Sequence, residues 1–167
     1  LLIYTAMKFT TSLDRLATIV TWGVSLLFIT IIGVQVKELI HEFSTLSLIV
    51  IILLLLVYLF TFLLRPLHYT ITDTTLIIQR PLSSKKIARA DIEALELFIN
   101  GELNWAIRTF GVGGLFGYFG RFFKGSIGSM TWYATRRNKA VLIRTKKGDR
   151  IVVTPDDYEG FVTALQP

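Results

Sequence analysis

LSLIVIILLLLVYLF, residues 46–60, contains only two polar side chains, Ser47 and Tyr58. It lies inside an uncharged run of 22 residues between Glu42 and Arg65. A helix rises about 1.5 Å per residue, so the run reaches about 30 Å, roughly the hydrocarbon thickness of a bilayer. Toward the N-terminus a second uncharged run, of 21 residues, lies between Arg15 and Lys37. Only the short stretch from Lys37 to Glu42 separates the two. The pair reads as a transmembrane helical hairpin over 16–64. Residues 1–15 form an N-terminal tail before it, and 65–167 a domain of ordinary soluble composition after it.

The hairpin reads as an anchor. The first run is longer than a signal-peptide core, and no small-x-small cleavage site follows Val36. The second has no Gly, Pro or charge, whereas conducting segments place polar groups or helix breaks at mid-membrane. Thr18, Thr21 and Ser25 make a small polar stripe on the first helix, suited to packing against the second. Trp22 falls inside the first helix rather than in an interfacial belt. Thr11, Ser12 and Asp14 offer caps at its start, and Arg65-Pro66 ends the second helix. Lys8, Arg15, Arg65 and Arg80 flank one side of the hairpin against Lys37 on the other, which puts both termini in the cytoplasm. Met7 followed by Lys8-Phe9 resembles a natural start, so residues 1–6 are expected to be an upstream extension of the reading frame.

Charge is unevenly placed. The net charge is +6, and residues 1–64 carry three basic and three acidic residues, so the whole excess falls in the later domain. A basic domain held at a membrane faces anionic headgroups first. The cations form no tight run and no nucleic-acid motif, so nucleic acid is not an expected partner. Cysteine is absent, which excludes disulfides and thiol catalysis.

After Pro66 the period changes to that of strands. His68–Thr72 alternates, Asp73-Thr74 turns, and Leu76–Gln79 returns; Lys85–Ala88 is a short strand and Asp91–Ile99 an extended one. Asn100-Gly101 turns the chain. Met130–Thr135 and Ala140–Thr145 read as strands, and Lys147-Gly148-Asp149 makes a hairpin turn into Arg150–Val153. Tyr158, Phe161, Val162 and Leu165 then give one apolar helical face, with Thr154 as the expected cap, Pro155 in the first turn and Asp157 in a capping box.

About seven short antiparallel strands and a closing amphipathic helix describe a pleckstrin-homology-type barrel. The pair Tyr69–Gln79, the step Ile87 to Asp91-Ile92, the closing stretch Lys147–Pro155 and above all Arg108–Tyr118 resemble bacterial membrane proteins with a pleckstrin-homology-like domain. The resemblance implies a membrane-anchored α+β protein: a transmembrane helical hairpin, then a bent antiparallel β-barrel capped by a C-terminal helix. It implies a two-pass protein of the bacterial cytoplasmic (inner) membrane. Eukaryotic relatives of the fold bind phosphoinositides through a basic loop between their first two strands. That loop is expected at Thr72-Asp73-Thr74, which is short and has no cation.

Arg108–Lys124 is the most unusual stretch. Gly111, Gly114, Gly117 and Gly120 recur every third residue, among Phe110, Phe116, Tyr118, Phe119, Phe122 and Phe123. It is not a dinucleotide fingerprint, since Phe116 stands where the third glycine is needed, and no Gly-Lys-Ser/Thr occurs for a P-loop. It reads as a loop that dips into the membrane surface or binds a partner, through Arg108, Phe110, Phe116, Phe119, Arg121, Phe122 and Lys124. Arg136, Arg137 and Lys139 form a second basic cluster, read as a solvated hairpin tip. Glu38, His41 and Glu42 share a helical face but suit charges capping a membrane turn better than a metal site. His68 has no matched nucleophile, and the neighbours Asp156 and Asp157 suit a helix start rather than a paired-carboxylate site. No catalytic residue, cofactor or metal site is expected. The sequence thus points to a non-catalytic docking or accessory module that contacts a protein partner or anionic lipid. A small transporter or channel subunit and a headgroup-modifying enzyme are the alternatives.

Overall fold

Asp14 starts the first helix: its Oδ1 accepts the Ala17 N–H at 2.7 Å, and α1 runs Arg15–His41. Ser44 caps the second in the same way, accepting the Ser47 N–H at 3.3 Å, and α2 runs Thr45–Leu64. The computed structural model describes residues 6–166, so most of the segment read as an upstream extension, 1–6, lies outside the described residues. Both helices are long and apolar enough to cross a membrane, with only 6% and 11% of their most apolar windows buried. Such exposure is unlike the core helix of a soluble protein, and it calls for an apolar surrounding.

The two helices are out of step at one end. Ser25 and Tyr58 share a hydrogen bond of 2.8 Å, and Tyr58 stands six residues before the end of α2. Ser25 stands ten residues after the start of α1, so the first turn of α1 continues past the end of α2. That turn enters the soluble domain, where Ala17 is fully buried against Trp132 and Tyr118. The same offset puts Trp22 level with the last turn of α2. It is 74% exposed there, in the position of an interfacial ring rather than in mid-span.

The described residues also form ten strands in two sheets: β1 (Met7–Thr10), before the helices, and after them β2 (His68–Ile71), β3 (Thr75–Gln79), β4 (Lys85–Ala88), β5 (Ile92–Phe98), β6 (Ile107–Gly114), β7 (Gly117–Lys124), β8 (Gly128–Ala134), β9 (Ala140–Thr145) and β10 (Arg150–Val153). A single 3-10 turn at Arg89–Asp91 leads from β4 into β5, and α3 (Tyr158–Leu165) closes the chain. One sheet has the order β1-β2-β3-β4, the other β5-β9-β10-β8-β7-β6. Pairing is antiparallel throughout except between β8 and β10. The sheets are bent but not closed, and β6 and β7 add two strands beyond the seven the sequence suggests.

β1 changes how the chain is organised. It lies in the segment expected to be a tail, yet Met7 pairs with Ile71 and Thr10 with His68. The membrane hairpin is therefore inserted between the first two strands of the domain. Thr72–Thr74 makes the short turn expected between His68–Thr72 and Leu76–Gln79, joining β2 to β3, where Thr72 donates its N–H to Thr75 O at 2.9 Å.

Period-2 alternation builds the core between the sheets. Tyr69, Ile71, Leu76, Ile78 and Ile87 face Val141, Ile143, Ile151 and Val153. Phe161 of α3 closes one end, its ring edge-on to Phe9 at 5.3 Å and to Tyr69 at 5.8 Å. Asp157 caps α3 by accepting the Gly160 N–H at 2.9 Å. Thr154, the expected cap, is used elsewhere: its Oγ1 accepts the Thr135 N–H at 2.9 Å. The opposite face of the larger sheet carries a second cluster of Tyr118, Phe122, Met130, Trp132, Leu142 and Val152, covered by Ala17, Leu103 and Ala106.

Candidate functional site

The glycines at every third position are two cross-strand pairs. Gly114 faces Gly117 and Gly111 faces Gly120, so the sequence period is a mirror about the turn at Leu115-Phe116. All four have φ between +109° and +131°. A Cβ on Gly111 would run into Phe119 O, and one on Gly120 into Phe110 O. Only glycine permits this backbone at such close approach. The stretch read as a loop is thus a hairpin, β6–β7, whose register shifts once, between Arg108 and Phe110. The glycines break the period-2 pattern by which strands are recognised.

The hairpin tip reaches the membrane helices. Thr21 Oγ1 donates to Gly114 O at 3.3 Å and accepts the Phe116 N–H at 2.9 Å. Phe116 has φ +58°, an uncommon conformation for a non-glycine residue. Its ring meets Tyr58 and Phe62 of α2 edge-on at 5.1 and 5.4 Å and is 8% exposed. Thr18 and Ser25 complete the polar stripe without forming a path: Thr18 bonds Asp14 O, and Ser25 bonds Thr21 O and Tyr58.

The register sorts the rest of the candidate residues. Phe119 and Phe122 are buried, Phe122 stacked on Trp132 at 4.4 Å. Lys124 is half-buried, its Nζ donating to Glu102 O. Arg108, Phe110 and Arg121 are exposed, and Phe110 faces Arg121 across the pair. Ile107 and Phe123 pair two steps further on, beyond Arg108–Phe122, both exposed, with Trp105 just before β6 at 86% exposure. Trp105, Ile107 and Phe123 were not among the expected site residues. The available signal was their proximity to Phe110, but Trp105 and Ile107 precede the glycine stretch that draws attention. Phe110 and Arg121 thus stand together on one face near the base of the hairpin, Arg108 pairs with Phe122 on the other face, and Phe116, Phe119 and Phe122 are buried.

The second basic cluster is absorbed by the fold. Arg136 pairs with Asp156 and donates to Ser12 O; Thr10 and Ser12 also donate to Asp156, at 2.9 and 2.7 Å. This network straps the residues after β1 to the end of the domain. Partial burial pushes the Asp156 carboxyl up, but the hydrogen bonds from Ser12 and Thr10 and the Arg136 charge outweigh it and hold it below the usual range. Arg137 lies over the Tyr118 ring at 4.9 Å and donates to Asn104 O at 2.8 Å. Burial, with the nearby Asp14 carboxylate, pushes the Tyr118 hydroxyl up to about 12. It therefore stays protonated and donates to Asp14 at 3.2 Å. Lys139 lies over Tyr158 at 5.5 Å. At the far turn of the hairpin, Glu38 accepts from Ser47 Oγ at 3.2 Å. Among the described residues no three His, Cys, Asp or Glu side chains are placed to hold a metal ion.

Comparison with known families decides the fold assignment. Residues 67–167 match the family model described as Bacterial PH domain. The chain belongs to this family. No curated protein and no solved structure matches the chain. The family match begins at β2, and β1, on the other side of the hairpin, completes the four-stranded sheet of this bacterial PH domain. Family membership supports a docking or accessory module, and two apolar helices supply its membrane anchor.

Proposed function

We propose that the chain is a non-catalytic docking module of the bacterial inner membrane, with its PH domain in the cytoplasm presenting the base of the β6–β7 hairpin to a protein partner. The observation that carries the reading is the exposed group Trp105, Ile107, Phe110 and Phe123 beside Arg121, at the end of the sheet that the edge strand β6 closes. Aromatic and arginine side chains are the residues that dominate binding energy at protein interfaces. Strand geometry sets this group up to about 23 Å from the tip that touches the membrane helices. The domain's attachment also supports the reading. It is held by α1 running into its core, by the three-residue step from α2 to β2, and by the tip itself. A module so mounted presents one face at a fixed orientation, which lowers the entropy cost of binding.

The test replaces Trp105 and Phe110 with Ser and Arg121 with Gln in the full chain. The triple variant is expected to keep its membrane level and melting temperature while losing the protein that crosslinks to the wild type in native membranes. Unchanged crosslinks would overturn the reading. A loss of retained anionic lipid with unchanged protein crosslinks would assign the patch to lipid instead.

A further inference from the structure

Arg65 ends α2 with a guanidinium that the protein holds but does not use. It stacks on Phe62, with its central carbon 4.2 Å from the ring centroid, and lies 5.7 Å from the Phe116 ring. Its Nε is buried with no hydrogen-bond partner among the described residues. The ion pairs among the described residues are Arg136–Asp156, Arg144–Glu96 and Lys147–Asp91, and none includes Arg65. A guanidinium has five donors in a rigid fork that matches phosphate, and leaving buried donors unpaired is costly.

The β3–β4 loop stands beside it. Leu82 donates its N–H to Leu63 O at 3.0 Å, which sets this loop level with the last turn of α2. Leu82 and Leu67 expose 57% and 36% of their surface at that level. Arg80 braces the loop through Ser83, donating to its carbonyl at 3.1 Å and its hydroxyl at 2.7 Å, and lies over the Tyr133 ring at 5.3 Å. Lys85 and Lys86 follow, both exposed, and line one pocket with Asp91, Lys147 and Asp149 away from this group. Exposed leucines at the end of an apolar helix, flanked by Arg65 and Arg80, suit the boundary where acyl chains meet headgroup phosphates.

We infer that Arg65 and the β3–β4 loop form a binding site for the phosphate of an anionic glycerophospholipid. Arg65 forks onto the phosphate, Arg80 supplies attraction from the domain side, and Leu67 and Leu82 cover the upper acyl chains. Phe62 and Phe116 fix the guanidinium in place, so the hairpin tip helps to organise a lipid site that the hairpin base does not share. Free phosphate shares this ligand chemistry; the exposed leucines and the level of the loop favour the lipid.

The test uses the full chain purified from membranes into mild detergent, with native mass spectrometry to count retained phosphatidylglycerol. The wild type is expected to retain one phosphatidylglycerol preferentially over phosphatidylcholine. A cation beside a membrane multiplies affinity for anionic lipid roughly five-fold. Arg65→Gln together with Arg80→Gln is therefore expected to lower retention at least about tenfold, and Lys147→Gln to leave it unchanged. Because Arg65 packs on two rings, Arg80→Gln alone and Arg65→Lys serve as milder variants. Each should reduce retention with the melting temperature held. Equal retention in the wild type and in variants that hold their melting temperature would overturn the proposal. So would displacement of the lipid by millimolar inorganic phosphate, which would mark a site for the free ion.

Discussion

The two ends of the β6–β7 hairpin are built from the same residue types and meet opposite fates. At the tip, Phe116 is buried between Tyr58 and Phe62 and its backbone is fixed by Thr21. Near the base, Phe110 is 76% exposed and faces Arg121. The difference is one of register. Two Gly–Gly pairs set which rings point into the outer cluster, which meet the membrane helices, and which remain in solvent. Composition marks the segment as unusual; pairing decides what each residue does.

The largest effect should fall on the rings that the register turns inward. Phe122→Ala removes a fully buried ring stacked on Trp132 and is expected to cost about 3–5 kcal/mol, the usual range for a buried Phe. Thermal unfolding of the full chain in detergent would show it, and an unchanged melting temperature would break the division between inner and outer rings. Phe116→Gly should come next. It keeps the left-handed backbone and loses the ring contacts, and relief of about 1 kcal/mol of strain leaves a net cost of about 2–4 kcal/mol. Hydrogen exchange should then speed up at residues 114–118 more than in β9.

A smaller effect belongs to the strap after β1. Asp156 has its carboxyl held below the ordinary value, so the stability it contributes is present above about pH 4 and is lost as pH falls through its lowered value. The difference in melting temperature between the wild type and Asp156→Asn should therefore shrink below pH 4. A constant difference down to pH 2 would mean that the charge of Asp156 contributes nothing. The smallest effect is expected at the base of the hairpin. Phe110→Ala and Trp105→Ala should each change stability by less than about 0.5 kcal/mol, as surface substitutions do. A larger loss would show that these rings pack against something in the chain.

Much of the fold was legible in the sequence because its signals are local. The two apolar runs, the turns at Asp73-Thr74 and Lys147–Asp149, β9, β10 and α3 all follow from periods and turn residues a few positions apart. β1 was not legible: Met7–Thr10 is four residues long and finds its partner only across the whole membrane hairpin. β6 and β7 were hidden for another reason. Glycine in an unusual backbone conformation replaced the side chains whose alternation marks a strand. The candidate site was legible as a region and not as a surface. Phe116, Phe119 and Phe122 share the composition of Phe110, and only the pairing with β8 and the contact with α2 separate them. Trp105 escaped notice because its exposure depends on Leu103 and Ala106, its neighbours, turning inward.

The account's central claim is that the tip belongs to the mount and the base to the contact surface. Photo-crosslinking residues placed singly at Phe116 and at Phe110 of the full chain, in native membranes, test it most directly. The account predicts that position 116 links only within the chain, to peptides of α2, and that position 110 links to a second protein. Links from 110 to lipid alone, or from 116 to a second protein, would contradict it.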